Sequence, residues 1–277
     1  MSVYHSTLEK CTGRSSADEL KKIRLTDRDY QVLNFIWEMK FGYAPILKRL
    51  FFSSTLDGKP RISDHFVRNR LADLKSAGFI TSVLRPNSRE YLYVLTRLGE
   101  QQVCQYLNIP CPQRSINDFD PRIFDHDMKV MLSRLALEKS GRAKKWIAER
   151  QIKQTLIAFQ GLARKYIPDG LYQNGLGELV AFEMEISPKS RSRYQEKIDK
   201  YIVLFKSHFS TPIRFSRALF VCEHNSVYLT LCEMTRIHGD RFRVVRFHEF
   251  ISILESVKDT VVSEALQVNP DSISAVK

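Results

Sequence analysis

Cysteine is scarce in the 277 residues: Cys11, Cys104, Cys111, Cys222 and Cys232 are odd in number and form no Cys-X-X-Cys pair. A disulfide framework or a zinc knuckle is therefore not indicated, and a reducing cytoplasm is the expected location. No apolar run approaches the length of a membrane span, and the polar start MSVYHSTLEK lacks the apolar core of a signal peptide. Gly-X-Ser-X-Gly, Walker and His-Glu-X-X-His patterns are missing, and His224, His238 and His248 lack ligand spacing. Gly175-Leu-Gly177 precedes no helix, so it reads as a hairpin turn rather than a phosphate loop. Acids are the minority charge, 31 against 43 Lys and Arg, and the net charge of +12 favours a polyanionic partner. Both halves share the excess: 18 bases to 11 acids in residues 1–115, and 25 to 20 after them.

The first half is patterned as three helices and a hairpin. Thr26 is placed to cap a helix over DRDYQVLNFIWEMKFG, with Asp29 three residues on and Leu33, Ile36 and Trp37 on one face. A second helix starts near Pro45, and a third runs from Ser63 to Gly78, burying Phe66, Val67, Leu71 and Leu74 while projecting Arg68, Arg70 and Lys75. FITSVL and YLYVLT flank a turn that puts Arg85 and Arg89 at the hairpin tip, and Thr96 caps a further helix. This order is the winged helix-turn-helix pattern, in which the third helix enters the major groove and the wing touches the DNA backbone or minor groove. The same module also serves in protein docking.

Prolines 110, 112 and 121 mark a linker. Beyond it come a helix from His126 to Gly141, a short strand KKWIAER, an irregular basic stretch to Lys165, the strand pair KYIPDGLYQ and ELVAFEMEIS, a helix from Ser190, and strands SRALFVCEH and FRVVRFHEF. The order is αβββαβ with one more strand. Asp169 falls at the end of one strand, and Glu183 and Glu185 share a face of the next because strand side chains alternate. Such a trio converges oxygen ligands on a divalent cation, Mg²⁺ or Mn²⁺, and two like charges on one face of an apolar strand call for a cation. On a basic chain the expected chemistry is phosphodiester cleavage in DNA, with Asp169, Glu183 and Glu185 or the Ile186 carbonyl as metal ligands.

The PD…E-X-E motif and the order of elements resemble the PD-(D/E)XK nuclease superfamily. With the preceding winged helix and the stretch FEMEISPKSRSRYQEKIDKY, residues 24–250 also resemble the MOBC plasmid mobilisation relaxases and the replication-relaxation proteins. The resemblance implies an α+β chain divided into a mobile start (1–20), a winged-helix domain (21–110), a linker (111–122), a PD-(D/E)XK-like nuclease domain (123–265) and a mobile tail (266–277). It implies a relaxase that nicks one strand at a plasmid transfer origin, engaging duplex and nicked strand and accessory mobilisation or coupling proteins. A double-strand endonuclease of restriction or transposon type, and a silent DNA-binding regulator, are the alternatives. Glu185 stands where the superfamily usually has lysine, so Lys189 or Lys197 is expected to supply the cation, and Glu185 is left as a ligand or a general base. Tyr194 and Tyr201 share a helix face with Lys197; either is a candidate nucleophile for a phosphotyrosine link, or both pack on the sheet. His126 is a candidate catalytic residue facing the site, or it and Asp127 are an N-cap pair; Glu149 is a candidate to touch the reacting groups, or it ends a strand in solvent. Lys189, Arg191 and Arg193 join Arg68, Arg70, Lys75, Arg85 and Arg89 as expected DNA contacts.

Overall fold

The computed structural model describes residues 23–53, 64–111, 119–157, 167–206 and 217–255. The expected mobile ends, most of the expected linker and most of the basic stretch before Lys165 lie outside them. The chain is a mixed α+β protein with two sheets.

In the first unit, helix α1 (Asp27–Met39) begins with the capping box the sequence predicts. The Thr26 N–H donates to Asp29 Oδ2 at 2.7 Å, and the Thr26 hydroxyl accepts from the Asp29 N–H at 3.3 Å. Val32, Leu33, Ile36 and Trp37 are buried at helical spacing. A two-residue strand β1 (Gly42–Tyr43) leads into α2 (Ala44–Phe51), with proline in its first turn, and then α3 (His65–Ser76). Val67, Leu71 and Leu74 of α3 are buried as expected, but Phe66 sits one position round the helix and is 44% exposed. Gly78, at φ 76°, stops that helix. Strands β2 (Ile80–Leu84) and β3 (Tyr91–Leu95) form the hairpin, and β1 joins β3 to give the order β1-β3-β2. Thr96 then caps α4 (Arg97–Leu107), accepting from the Gly99 N–H at 3.1 Å.

Asp29 also ties α1 to α3: Arg70 Nε donates to its Oδ1 at 2.8 Å, and an Arg70 nitrogen reaches the Arg24 carbonyl at 3.0 Å. Burial would push the Asp29 carboxyl up, but the Arg70 bonds and the capping box hold it below its ordinary value. Arg70 therefore serves the helix pair rather than projecting from α3 toward DNA.

The second unit runs α5 (Phe124–Lys139), β4 (Lys145–Ala148), α6 (Glu149–Ile157), β5 (Gly170–Gln173), β6 (Leu179–Glu185), α7 (Arg191–Lys206), β7 (Arg217–Cys222), α8 (Asn225–Thr235), β8 (Phe242–Arg246) and α9 (Phe247–Glu255). Three helices depart from the expected string. The segment after β4 is helical rather than irregular. A crossover helix, α8, lies between β7 and β8. The FHEF segment starts α9 instead of closing a strand, because Phe247, Phe250 and Ile251 are buried at helical spacing.

The five-stranded sheet has the order β4-β5-β6-β7-β8. Its first three strands are antiparallel and its last three parallel. Alternation along β6 sends Val180, Phe182 and Met184 toward α5 and α9, and Ala181, Glu183 and Glu185 toward α7. The α5 side of the sheet is continuous with the core of the first unit: one buried cluster runs from Val32 to Ile251, with the Phe41 and Phe124 rings 5.3 Å apart.

Arg70→Met should cost about 2–3 kcal/mol at pH 7, because it leaves Asp29 buried without its cation. The contribution of a depressed carboxyl is present above its unfolded pKa near 3.8 and is lost as pH falls through the lower folded value. Thermal melts of parent and variant should therefore differ clearly at pH 7 and converge once the pH falls below the lowered folded value.

Candidate active site

Register places the acids. Gly170 pairs with Phe182 across the antiparallel β5-β6 ladder, which brings Asp169, one residue earlier, opposite Glu183. The Met184 N–H fixes the end of that ladder by donating to Asp169 Oδ2 at 2.8 Å. Glycine is required beside Asp169, because a Cβ at residue 170 would lie 2.2 Å from the Trp146 ring. The sheet therefore closes tightly against the indole just where the carboxylate emerges.

Helix α7 supplies the countercharge. Tyr194, Ile198 and Tyr201 bury one face of it, and Lys197 on the same side reaches the acids. Its Nζ donates to Glu183 Oε2 at 2.8 Å and to Glu185 Oε1 at 2.6 Å. Lys189, in the loop before α7, donates to the other Glu185 oxygen at 2.6 Å, and the Tyr201 hydroxyl donates to Glu183 Oε1. Both lysines singled out from the sequence as substitutes for the missing motif lysine thus meet Glu185, which is wholly buried.

Burial, reinforced by Asp169 opposite and opposed by Lys197, pushes the Glu183 carboxyl up to about 7. Burial would also raise Asp169, but His126 and Lys197 hold it below its ordinary value. Burial depresses His126, yet its bonds to Asp127 and Asp169 overcome this and raise it to about 10, so the ring is an imidazolium at neutral pH. Lys197 is held charged against its burial by Glu183, Glu185 and Asp169, while burial and Glu183 keep the Tyr201 phenol protonated.

His126, on the first turn of α5, donates from Nε2 to Asp169 Oδ2 at 3.2 Å and from Nδ1 to Asp127 Oδ1 at 3.1 Å. Lys40, at the end of α1, approaches Asp127 Oδ1 at 3.0 Å and Glu149 Oε2 at 3.2 Å. Glu149 begins α6 rather than ending a strand in solvent, and it also meets Lys153 at 2.6 Å. Lys40 had no local signal in the sequence beyond its position at a helix end.

The remaining expected site residues lie elsewhere. The buried Tyr194 hydroxyl accepts from the Lys189 N–H at 3.1 Å and donates to the Ser187 carbonyl at 3.4 Å, shaping the loop before α7. Arg191 pairs with Glu233 of α8, and Arg193 is exposed. In the first unit Arg68 and Arg89 are exposed, and Lys75 donates to Ser82 at 2.6 Å. Arg85, expected at the hairpin tip, is 4% exposed; it pairs with Glu90 and lies over the Tyr43 and Phe124 rings, so it locks the hairpin to the second unit.

A family model described as replication-relaxation matches residues 33–214. The chain belongs to the replication-relaxation family. The span that matches the family begins within α1 and ends beyond α7, so it contains Lys40, His126, Asp169, Glu183, Glu185, Lys189 and Lys197. No curated protein and no solved structure matches the chain. Membership in a replication-relaxation family ties the chain to DNA, and no described helix is long and apolar enough to cross a membrane.

Among the described residues no three Asp, Glu, His or Cys side chains are arranged around a single point as metal ligands, since Lys197 bridges the two glutamates. Asp169 and Glu183, which face each other and whose mutual repulsion helps to push Glu183 up, are the two carboxylates that could offer oxygen ligands to a hard cation.

Lys197→Met should destabilise the fold by about 3 kcal/mol, toward the lower end for breaking a buried pair because 28% of the lysine side chain meets water. Adding Glu183→Gln should recover part of that loss by removing the carboxylate left without a cation, since Glu185 keeps Lys189. Urea unfolding of the single and double variants measures both effects.

Proposed function

We propose that this chain is a MOBC-type relaxase that nicks one strand of duplex DNA at a plasmid transfer origin. In this reading residues 21–110 are a winged helix and residues 123–265 a PD-(D/E)XK-like nuclease domain. The observation that carries it is the pairing of Asp169 opposite Glu183 at the end of the β5-β6 ladder, with Lys197 of α7 across from them. This gives two facing acids and one cation at the end of a hairpin, on a chain with a net charge of +12.

Arg68 on α3 and Arg89 on the hairpin are the exposed cations best suited to the major groove and the adjoining backbone. Exposed Arg193 at the start of α7 extends the basic surface toward the acids. Asp169 and Glu183 would hold Mg²⁺ or Mn²⁺, which when bound supplies an activated water and offsets charge on the phosphate. Lys197 has the position to share that second task, its ammonium being held charged by three carboxylates. Glu185, clamped by Lys197 and Lys189 with no exposure, orients Lys197 and is poorly placed as a general base. Tyr201 orients Glu183 from within the core, and Tyr194 braces the loop, so neither is favoured as the nucleophile. Accessory mobilisation proteins are the natural further partners.

One observation favours a second reading. Lys197 and Lys189 together satisfy Glu185, and Lys197 with Tyr201 satisfies Glu183, so the cluster is compensated by protein groups alone. This is what a silent DNA-binding regulator would retain.

Supercoiled plasmid with Mg²⁺ or Mn²⁺ separates the readings. Open circles are expected, and Asp169→Asn or Glu183→Gln should lower the rate by more than the roughly 10–100-fold that outer-shell changes cost. Linear product would identify a double-strand endonuclease, and bound but unchanged DNA a regulator. Arg68→Ala should weaken duplex binding and reduce its salt slope by about one, with no change in melting temperature.

A further inference from the structure

We propose that Lys40, carried by the first unit, is a positioning residue for the acidic site of the second, acting through Asp127 and His126 on Asp169. This rests on the reading of Asp169 as part of the reactive site.

The chain of contacts is short and continuous. Lys40 Nζ donates to Asp127 Oδ1 at 3.0 Å, and the same oxygen accepts from His126 Nδ1 at 3.1 Å. The opposite ring nitrogen donates to Asp169 Oδ2 at 3.2 Å, the oxygen that also accepts the Met184 N–H. Without Lys40, Asp127 loses one of the two donors that fix which way its carboxylate turns. The imidazole is then free to follow, and with it the lone pairs Asp169 presents to the site.

Two further observations single out Lys40. Its backbone lies at φ 71°, in the left-handed region where helix ends normally carry glycine. A lysine stands there although glycine fits the backbone better, which points to use of its side chain. In addition, a cavity of about 20 Å³, room for about one water, opens among Lys40, His126, Asp127, Glu149 and Asp169. The imidazole is therefore held by its bonds on that side rather than by close packing, and Glu149 anchors Lys40 from across the gap at 3.2 Å.

The unit that carries the proposed DNA-reading helix thus contributes a group to the site. A shift of that unit against the second would be felt at Asp169 through polar contacts, without any change in β5 or β6.

The full chain carrying Lys40→Met, Lys40→Arg or Asp127→Asn tests this with three readouts: the nicking rate, the duplex affinity and the ring-nitrogen NMR resonances of His126. Lys40→Met should slow nicking about 10–100-fold at unchanged duplex affinity and move the His126 resonances, and Lys40→Arg should restore most of both. Asp127→Asn keeps the side-chain shape and removes the carboxylate that joins Lys40 to the ring, so if Lys40→Met folds poorly the nicking rate of Asp127→Asn, expected to fall by a similar factor, is read instead. Unchanged His126 resonances in a folded variant, or a rate that falls only in step with affinity, would overturn the inference. If the parent does not nick at all, the nickase reading fails alone, and the His126 resonances still decide whether Lys40 sets the ring.

Discussion

Two carboxylates on one face of a buried strand repel each other, and nearly everything around β6 answers that repulsion. Glu183 and Glu185 are held by Lys197 from α7, Lys189 from the loop before it and the Tyr201 hydroxyl. Asp169, opposite Glu183, is held by His126 from α5. The sheet, its two helical layers and the end of α1 therefore meet at one electrostatic problem. An isolated charge in such a place would cost several kcal/mol, so helices that cover the acids must also bring cations. This explains why α7 interrupts its apolar face with Lys197 and why the first turn of α5 carries a histidine.

Much of this was legible in the sequence where the signal is local. The Thr26 cap, the Gly78 stop and the alternation of β6 each depend on a few neighbouring residues, and each stands in the structure as the pattern implies. The hairpin around Asn174 and Gly175 that carries the acids was legible too, but the register that sets Asp169 opposite Glu183 comes from the ladder itself. The failures have a common cause. Arg70 and Arg85 looked like DNA contacts because a basic residue beside an apolar helix or in a turn is usually solvated. Each is claimed instead by an acid that the fold brings close: Asp29, 41 positions away, and Glu90 across the hairpin. Lys40 meets Asp127 across 87 positions, a pairing no periodicity encodes.

The missed helices have a different origin. α8 and α9 carry apolar residues at helical spacing, but both sit among β-branched and aromatic residues that also suit strands. Tertiary covering of the sheet decided between the two. With α8 in place, β7 runs parallel beside β6 and β8 parallel beside β7, and the edge beyond Glu185 is closed by Cys222 and Arg246 rather than by an open turn.

The shared hydrophobic cluster sets a schedule for making the molecule. Trp37 and Phe41 belong to one buried cluster with Phe124, Trp146 and Phe250, so α1 leaves the ribosome well before the surface that completes its core. At about 5–20 residues per second that face waits for seconds, longer than a helix or a hairpin takes to form. The first unit has time to reach its own secondary structure, but its apolar flank stays wet until β6 and α9 arrive. The nascent chain thus passes through an interval in which it must be shielded or dilute, and a stall between the two units would expose an adhesive surface.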